Sequence, residues 1–247
     1  MRFRSILPLI LLFVAGEAAA QDNDLPLTPR DYGNGAGVQV LLTNHGFALG
    51  GYYTSAVSDA VSLVFDANIG SAKDEREAQF LRYGNTFVMG KANYVLMLPV
   101  QGGLMIRLFR HSIEDNFRPY VQLSGGPTIA FQAPYFDDCN GNGNLDEAVD
   151  CTGDGELTER EETLGFFQAL PRGNFKFGAG ATIAMGAFFG EGGRTTQGLR
   201  IGYSFNYFAD GVQLLERRHQ EVPRRFIGTP TITLSIGRLL TSPDATR

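Results

Sequence analysis

Residues 174–190, NFKFGAGATIAMGAFFG, alternate with a period of two. Phe175, Phe177, Ala179, Ala181, Ile183, Met185, Ala187 and Phe189 are all apolar. Between them stand Lys176, Gly178, Gly180, Thr182, Ala184, Gly186 and Phe188, mostly small or polar. In a β-strand successive side chains point to opposite faces, so this pattern predicts a strand with one apolar face and one small, polar face. Five other stretches repeat the logic. Leu199, Ile201, Tyr203, Phe205 and Tyr207 oppose Arg200, Gly202, Ser204 and Asn206. Leu63, Phe65, Ala67 and Ile69 oppose Ser62, Asp66 and Asn68. Leu96, Leu98, Val100, Leu104 and Ile106 oppose Asn93, Gln101 and Arg107. Val121, Leu123, Ile129 and Phe131 oppose Gln122, Ser124 and Thr128, and Ile232, Leu234 and Ile236 oppose Thr231, Thr233 and Ser235.

The composition of the second face separates two kinds of β-protein. A soluble sandwich hides its apolar face and covers its outer face with Lys and Glu. Here the second face carries Gly, Ser, Thr and Asn with a few charges. That is the polarity of a membrane barrel, apolar toward lipid and polar inside. Small inward residues suit a narrow barrel whose lumen holds only side chains. The expected fold is all-β: a closed antiparallel transmembrane β-barrel of about eight strands with a long outer loop. The strands fall near 36–43, 47–55, 60–71, 93–109, 117–132, 174–189, 198–209 and 226–239, with 36–55 readable as one bent strand or two. SAVSD, RHSIEDN and GEGGRTTQ become short periplasmic turns; NHG, 72–92, 133–173 and 210–225 become outer loops. Pro99 and Pro127 lie inside strands and cannot donate to a ladder, so bulges are expected there.

The ends and the composition add the setting. MRFRSILPLILLFVAGEAAAQ has a basic start, an apolar run and a small-residue cleavage site, which predicts a secretory signal peptide over residues 1–20. A periplasmic segment over 21–35, the barrel over 36–240 and a tail over 241–247 complete the expected organisation. The net charge of −5 gives no reason to expect nucleic acid. No stretch after residue 21 approaches the ~18 apolar residues of a membrane helix.

GFALGGYYTSAVSDAVSLVFDANIG, YVLMLPVQGGLMIRLF and FRPYVQLSGGPTIAF resemble strands of the small outer-membrane β-barrels of the OmpA/OmpX kind and of the outer membrane protein beta-barrel domain proteins of Gram-negative bacteria. The resemblance spans most of residues 36–240. It implies outer-membrane lipid as the immediate partner, a monomer, and contact with surface ligands or other cell-surface proteins through the outer loops. Barrels of this kind usually end on an aromatic residue that the insertion machinery reads. This chain departs from that pattern, closing on IGRLL and adding TSPDATR.

One stretch stands apart: DDCNGNGNLDEAVDCTGDGELTEREE, residues 137–162. Ca²⁺ takes about six to eight oxygen ligands on a flexible loop with a Gly at its sharp turn. Reading from Asp150 gives Asp150, Thr152, Asp154, the backbone of Glu156, Thr158 and Glu161 at the ligating positions, with Gly155 at the turn and Leu157 at the apolar eighth. The half beginning at Asp138 offers Asp138, Asn140, Asn142 and Asp146 but ends on Val149, so it is the weaker or a shared site. Cys139 and Cys151 occupy the same place in both halves, and an exported chain with two cysteines predicts one disulfide. Such a staple is worth about 3 kcal/mol in the chain-entropy model. The expected cofactor is therefore structural Ca²⁺, held at roughly 10⁻⁴–10⁻³ M as in extracellular modules.

A catalytic site is not legible. His45, His111 and His219 each fall in a predicted turn or loop, and none pairs with a Ser in a defensible way. The predicted lumen charges are Asp66, Arg107, Lys176 and Arg200, with Asp66 paired to Arg107 or Arg200 as a plug. The expected function is non-enzymatic: membrane structure or surface interaction through a calcium-ordered, disulfide-stapled loop. A small solute channel and an outer-membrane lipid-modifying enzyme are the alternatives.

Overall fold

The computed structural model describes residues 34–58, 60–74, 76–82, 85–109, 117–137, 164–189, 195–216, 220 and 222–240. The expected signal peptide, most of the 21–35 segment, the tail 241–247, and all the proposed calcium ligands with Cys139 and Cys151 lie outside these residues.

The strands are β1 (Asn34–Thr43), β2 (Gly46–Ala56), β3 (Val61–Ala72), β4 (Ala78–Arg82), β5 (Asn85–Met89), β6 (Asn93–Arg107), β7 (Phe117–Pro134), β8 (Asn174–Phe189), β9 (Thr195–Val212) and β10 (Arg224–Leu240). Between β7 and β8 lies a single-turn helix, α1 (Phe166–Ala169). Eight strands close into one antiparallel barrel in the order β1-β10-β9-β8-β7-β6-β3-β2. The seam pairs the first strand with the last, from Asn34↔Leu240 to Thr43↔Thr231. This is the closed antiparallel eight-stranded barrel expected from the alternation, and closure leaves no exposed sheet edge to be satisfied.

Residues 34–56 form two strands, not one bent strand. The chain reverses at Asn44–His45, and Gly46, at φ 124°, takes a conformation that side chains rarely adopt. A short hairpin, β4–β5, rises within the expected loop 72–92, and the periodicity did not suggest it.

The bulges expected at the prolines do not form. On β6 and β7, Pro99 pairs with Thr128 and Gly102 with Gly125, the same register on either side of a two-residue gap. The β3–β6 ladder skips opposite Pro99 in the same way. Each proline lacks a donor, and the sheet tolerates an open rung without inserting a residue. The irregularity lies elsewhere, in the β9–β10 ladder between Arg224 and Phe226, beside Gly211 at φ 68°.

The two faces follow the alternation. Phe47, Phe65, Leu123, Phe177, Met185, Ile201 and Phe205 are exposed on the outer surface. Gln39, Asp66, Gln101, Gln122, Thr128, Arg200, Asn206 and Thr233 are buried inside. Polarity is therefore inverted relative to a soluble barrel.

Candidate functional site

The lumen is filled in layers, and its centre is ionic. Asp66 projects from β3 and Arg200 from β9, on opposite sides of the barrel. Their side chains are 4% and 10% exposed, and Arg200 Nη1 lies 3.3 Å from Asp66 Oδ2. Arg107, the other expected partner of Asp66, lies nearer the end of the barrel formed by the short connections.

Two glutamines complete the pair. Arg200 Nη1 donates to Gln122 Oε1 at 2.7 Å, and Nη2 donates to Gln39 Oε1 at 3.1 Å. Both glutamines then donate to the carboxylate: Gln122 Nε2 to Asp66 Oδ2 at 2.7 Å and Gln39 Nε2 to Oδ1 at 3.2 Å. The same Gln39 nitrogen reaches Asn68 Oδ1 at 2.7 Å. Removing two charges from water is expensive, and the opposite charge together with these donors is what offsets it. Five side chains from β1, β3, β7 and β9 thus span the lumen.

A second polar layer follows toward the long loops. Thr182 donates to Gln101 Oε1 at 2.8 Å, Ser124 reaches the same oxygen at 3.2 Å, and Thr182 and Ser204 hydroxyls lie 2.8 Å apart. Thr128 donates to Asn206 Oδ1 at 2.9 Å. Gly180 makes room for this layer, since a Cβ there would stand 2.5 Å from Asn206 Oδ1 and 2.7 Å from Thr128 Oγ1.

Beyond it the lumen becomes apolar. Ala72, Val95, Met97, Ala130, Phe208, Val212, Leu214 and Ile227 form one buried cluster. These residues point inward, against the polar-inside expectation. They seal the barrel by packing.

The outer connections then lock together over the mouth. Lys91 bridges to Leu215, Ala92 N donates to Leu214 O at 2.9 Å, and Glu216 N donates to Gly90 O at 2.9 Å. Gln220 holds the last loop: its Oε1 accepts from the backbone of Leu214 and Leu215, and its Nε2 donates to Val212 and Val222 carbonyls. Asp74 receives Arg76 at 2.9 Å and Arg224 at 3.0 Å. Burial works against the Asp74 carboxylate, yet the Arg76 hydrogen bonds and the Arg224 charge outweigh it and hold its pKa below the usual range. Lys91 Nζ lies 3.8 Å from Glu77 and 4.6 Å from the centre of the Tyr94 ring. Burial pulls the Lys91 pKa down and pushes that of Glu77 up.

The feet of the acidic stretch join this cap. Leu164 N donates to Tyr135 O at 2.9 Å, and the Tyr94 hydroxyl donates to Leu164 O at 3.0 Å. Arg172 and Asp137 pair at 2.6 Å. The chain therefore leaves the barrel and returns to it through one clamp.

Of the sequence-predicted lumen charges, Asp66 and Arg200 meet. Lys176 sits on the inward face of β8 opposite Ala130 and makes no ion pair among the described residues. His45 lies in the β1–β2 turn, where its Nδ1 accepts from Lys73 N at 3.4 Å. Gln39 escaped the sequence reading, although Val38-Gln39-Val40 carries the same alternation.

No protein-family model and no curated protein matches the chain. Solved structures similar to it include Neisserial surface protein A, at 8% identity and TM-score 0.40, covering 84% of this chain and 94% of that one. The N-terminal β-barrel domain of Pseudomonas aeruginosa OprF is 10% identical, with TM-score 0.38 and 84% and 98% coverage. Ail, the attachment invasion locus protein of Yersinia pestis, is 10% identical, with TM-score 0.38 and 84% and 96% coverage.

Proposed function

We propose that this chain is a non-enzymatic outer-membrane barrel that carries surface loops on a sealed, rigid stem. The observation that carries the reading is the inverted polarity of a closed barrel whose lumen is packed from side to side. An apolar outer belt needs lipid, and closed barrels and helices are the structures that satisfy their backbone within it. The channel alternative fits less well, because the Asp66–Arg200 layer and the apolar cluster beyond it both cross the lumen. The lipid-modifying alternative needs a histidine poised on a nucleophile; His45 is engaged by backbone, and His111 and His219 lie outside the described residues.

The working part of the molecule is then its outer surface. The longest outer loop, rooted at Asp137 and Leu164, binds Ca²⁺ through Asp150, Thr152, Asp154, Glu156, Thr158 and Glu161, with Cys139–Cys151 as its staple. Support for this comes from the ligand spacing and from the clamp at the loop's feet. Surface ligands or other cell-surface proteins are the partners such a loop would meet.

Electrophoresis in cold SDS tests the barrel: the folded protein should migrate differently from the boiled one, and identical mobility would count against it. Titration calorimetry tests the metal. The parent should release heat with Ca²⁺, and Glu161→Ala and Asp154→Ala should each weaken binding. No heat in the parent ends the calcium reading while leaving the barrel untouched.

A further inference from the structure

Against the Asp66–Arg200 layer, on the side of the short connections, lies a space of about 10 Å³. By the same kind of measure a single water needs ~10–15 Å³, so the space has the size of one water. Its walls carry polar side chains from six of the eight barrel strands: Gln39 on β1, Tyr52 on β2, Asp66 on β3, Tyr120 and Gln122 on β7, Arg200 on β9 and Ser235 on β10.

Tyr120 is the group in these walls that the protein leaves incomplete. It projects inward and is 4% exposed. Stacking on Phe188, at 4.9 Å between centroids, holds its ring. The ring end passes over Gly186, where a Cβ would stand 2.9 Å from the hydroxyl oxygen. Gly186 pairs in register with Arg200, so β8 lets the hydroxyl reach the edge of the ionic layer. There it has no hydrogen-bond partner among the described residues. Buried tyrosine hydroxyls usually have one. Tyr52, in the same wall, lies 3.4 Å from the Thr196 hydroxyl.

Asp66 offers what Tyr120 lacks. An ionised carboxylate has about four lone-pair positions. Its Oδ2 accepts from Gln122 and Arg200, whereas Oδ1 accepts from Gln39 alone. One acceptor position therefore remains on Oδ1. A hydroxyl without a partner, a carboxylate with a spare lone pair and a space of one water's volume share one polar wall. We infer that this space is a binding site for a single internal water. The water accepts from the Tyr120 hydroxyl and donates to Asp66 Oδ1, with the Ser235 hydroxyl in the same wall as a third partner. Internal waters typically make about three such bonds. The ionic layer is thereby extended from its five side chains to Tyr120. The inference rests on the lumen alone and needs neither the calcium loop nor the surface role.

Tyr120→Phe decides the matter, because a bonded hydroxyl and an idle one give opposite signs. With water in place the variant leaves a partner stranded, and the temperature at which the folded band disappears from an SDS gel should fall. An idle buried hydroxyl is a burden, so its removal would leave that temperature unchanged or raise it, and either result overturns the inference. Val64→Ile fills the space while keeping every polar partner, since Val64 lies in the same wall at 2% exposure. In that background the water is displaced, and adding Tyr120→Phe should no longer lower the temperature. An equal fall in both backgrounds overturns the inference as well. Each variant is first shown to keep its cold-SDS mobility. A crystal structure of the full chain, grown from detergent, supplies the test that needs no variant. It should show one ordered oxygen within about 3 Å of both Tyr120 Oη and Asp66 Oδ1. Direct contact of Tyr120 Oη with a protein group in its place would overturn the site.

Discussion

Arg200 is the residue on which the interior turns. It contacts Asp66, Gln122 and Gln39, which come from three other strands. Removing one member of a buried pair leaves the other charge uncompensated, so Arg200→Ala should lower stability by about 3–5 kcal/mol. Urea unfolding of the micelle-bound protein measures it. Adding Asp66→Asn should recover part of the loss, because the two sites share one network and their effects are not additive. An additive double variant would show that the pair is not coupled. At Gly180 the constraint is space rather than charge. Gly180→Val would push into Asn206, Thr128 and Gln101, and overpacking of this kind costs about 1–3 kcal/mol. The temperature at which the folded band disappears from an SDS gel should fall accordingly. An unchanged temperature would mean that the second polar layer has slack.

At the scale of elements, the outer connections behave as a single cap rather than as separate loops. Asp74, just past the end of β3, is tied to Arg224 at the start of β10. Its carboxylate pKa is held below the ordinary value, so its contribution is present above about pH 4 and is lost as pH falls through the lowered folded value. Asp74→Asn should therefore weaken the cap at neutral pH and flatten the acid limb of its stability. Hydrogen exchange at the Leu214–Glu216 backbone, compared between pH 7 and pH 3, reads this directly. Six of the barrel strands were plainly legible in the sequence because alternation over ten or more residues is a strong signal, whereas 36–55 was readable as one bent strand or two; Arg200 and Asp66 stood out as charges on a small-residue face. The cap was not legible. The hairpin β4–β5 has five residues per strand, too few for a period to declare itself. The inward Val95, Met97 and Phe208 share by parity the faces of Gln101 and Arg200, but they lie where both faces are apolar, so the alternation is silent there and the structure shows that they fill the lumen. Gln220 works through backbone atoms that only the closed loop brings to it.

For the whole molecule, the successive layers predict that a planar bilayer containing the purified barrel shows no steady conductance at moderate voltage. Reproducible unitary currents would restore the channel alternative and would require the apolar cluster at the outer end to move. The clamp between Tyr135, Leu164, Tyr94, Arg172 and Asp137 has a consequence for how the chain can vary. It fixes where the excursion starts and finishes. Lengthening a flexible loop between fixed ends adds only about 0.6 kcal/mol for each doubling. The stem therefore acts as a socket: unrelated inserts between those two anchor points should leave barrel assembly intact. Substitutions between the two anchor points should therefore be tolerated where substitutions in the Asp66–Arg200 layer are not.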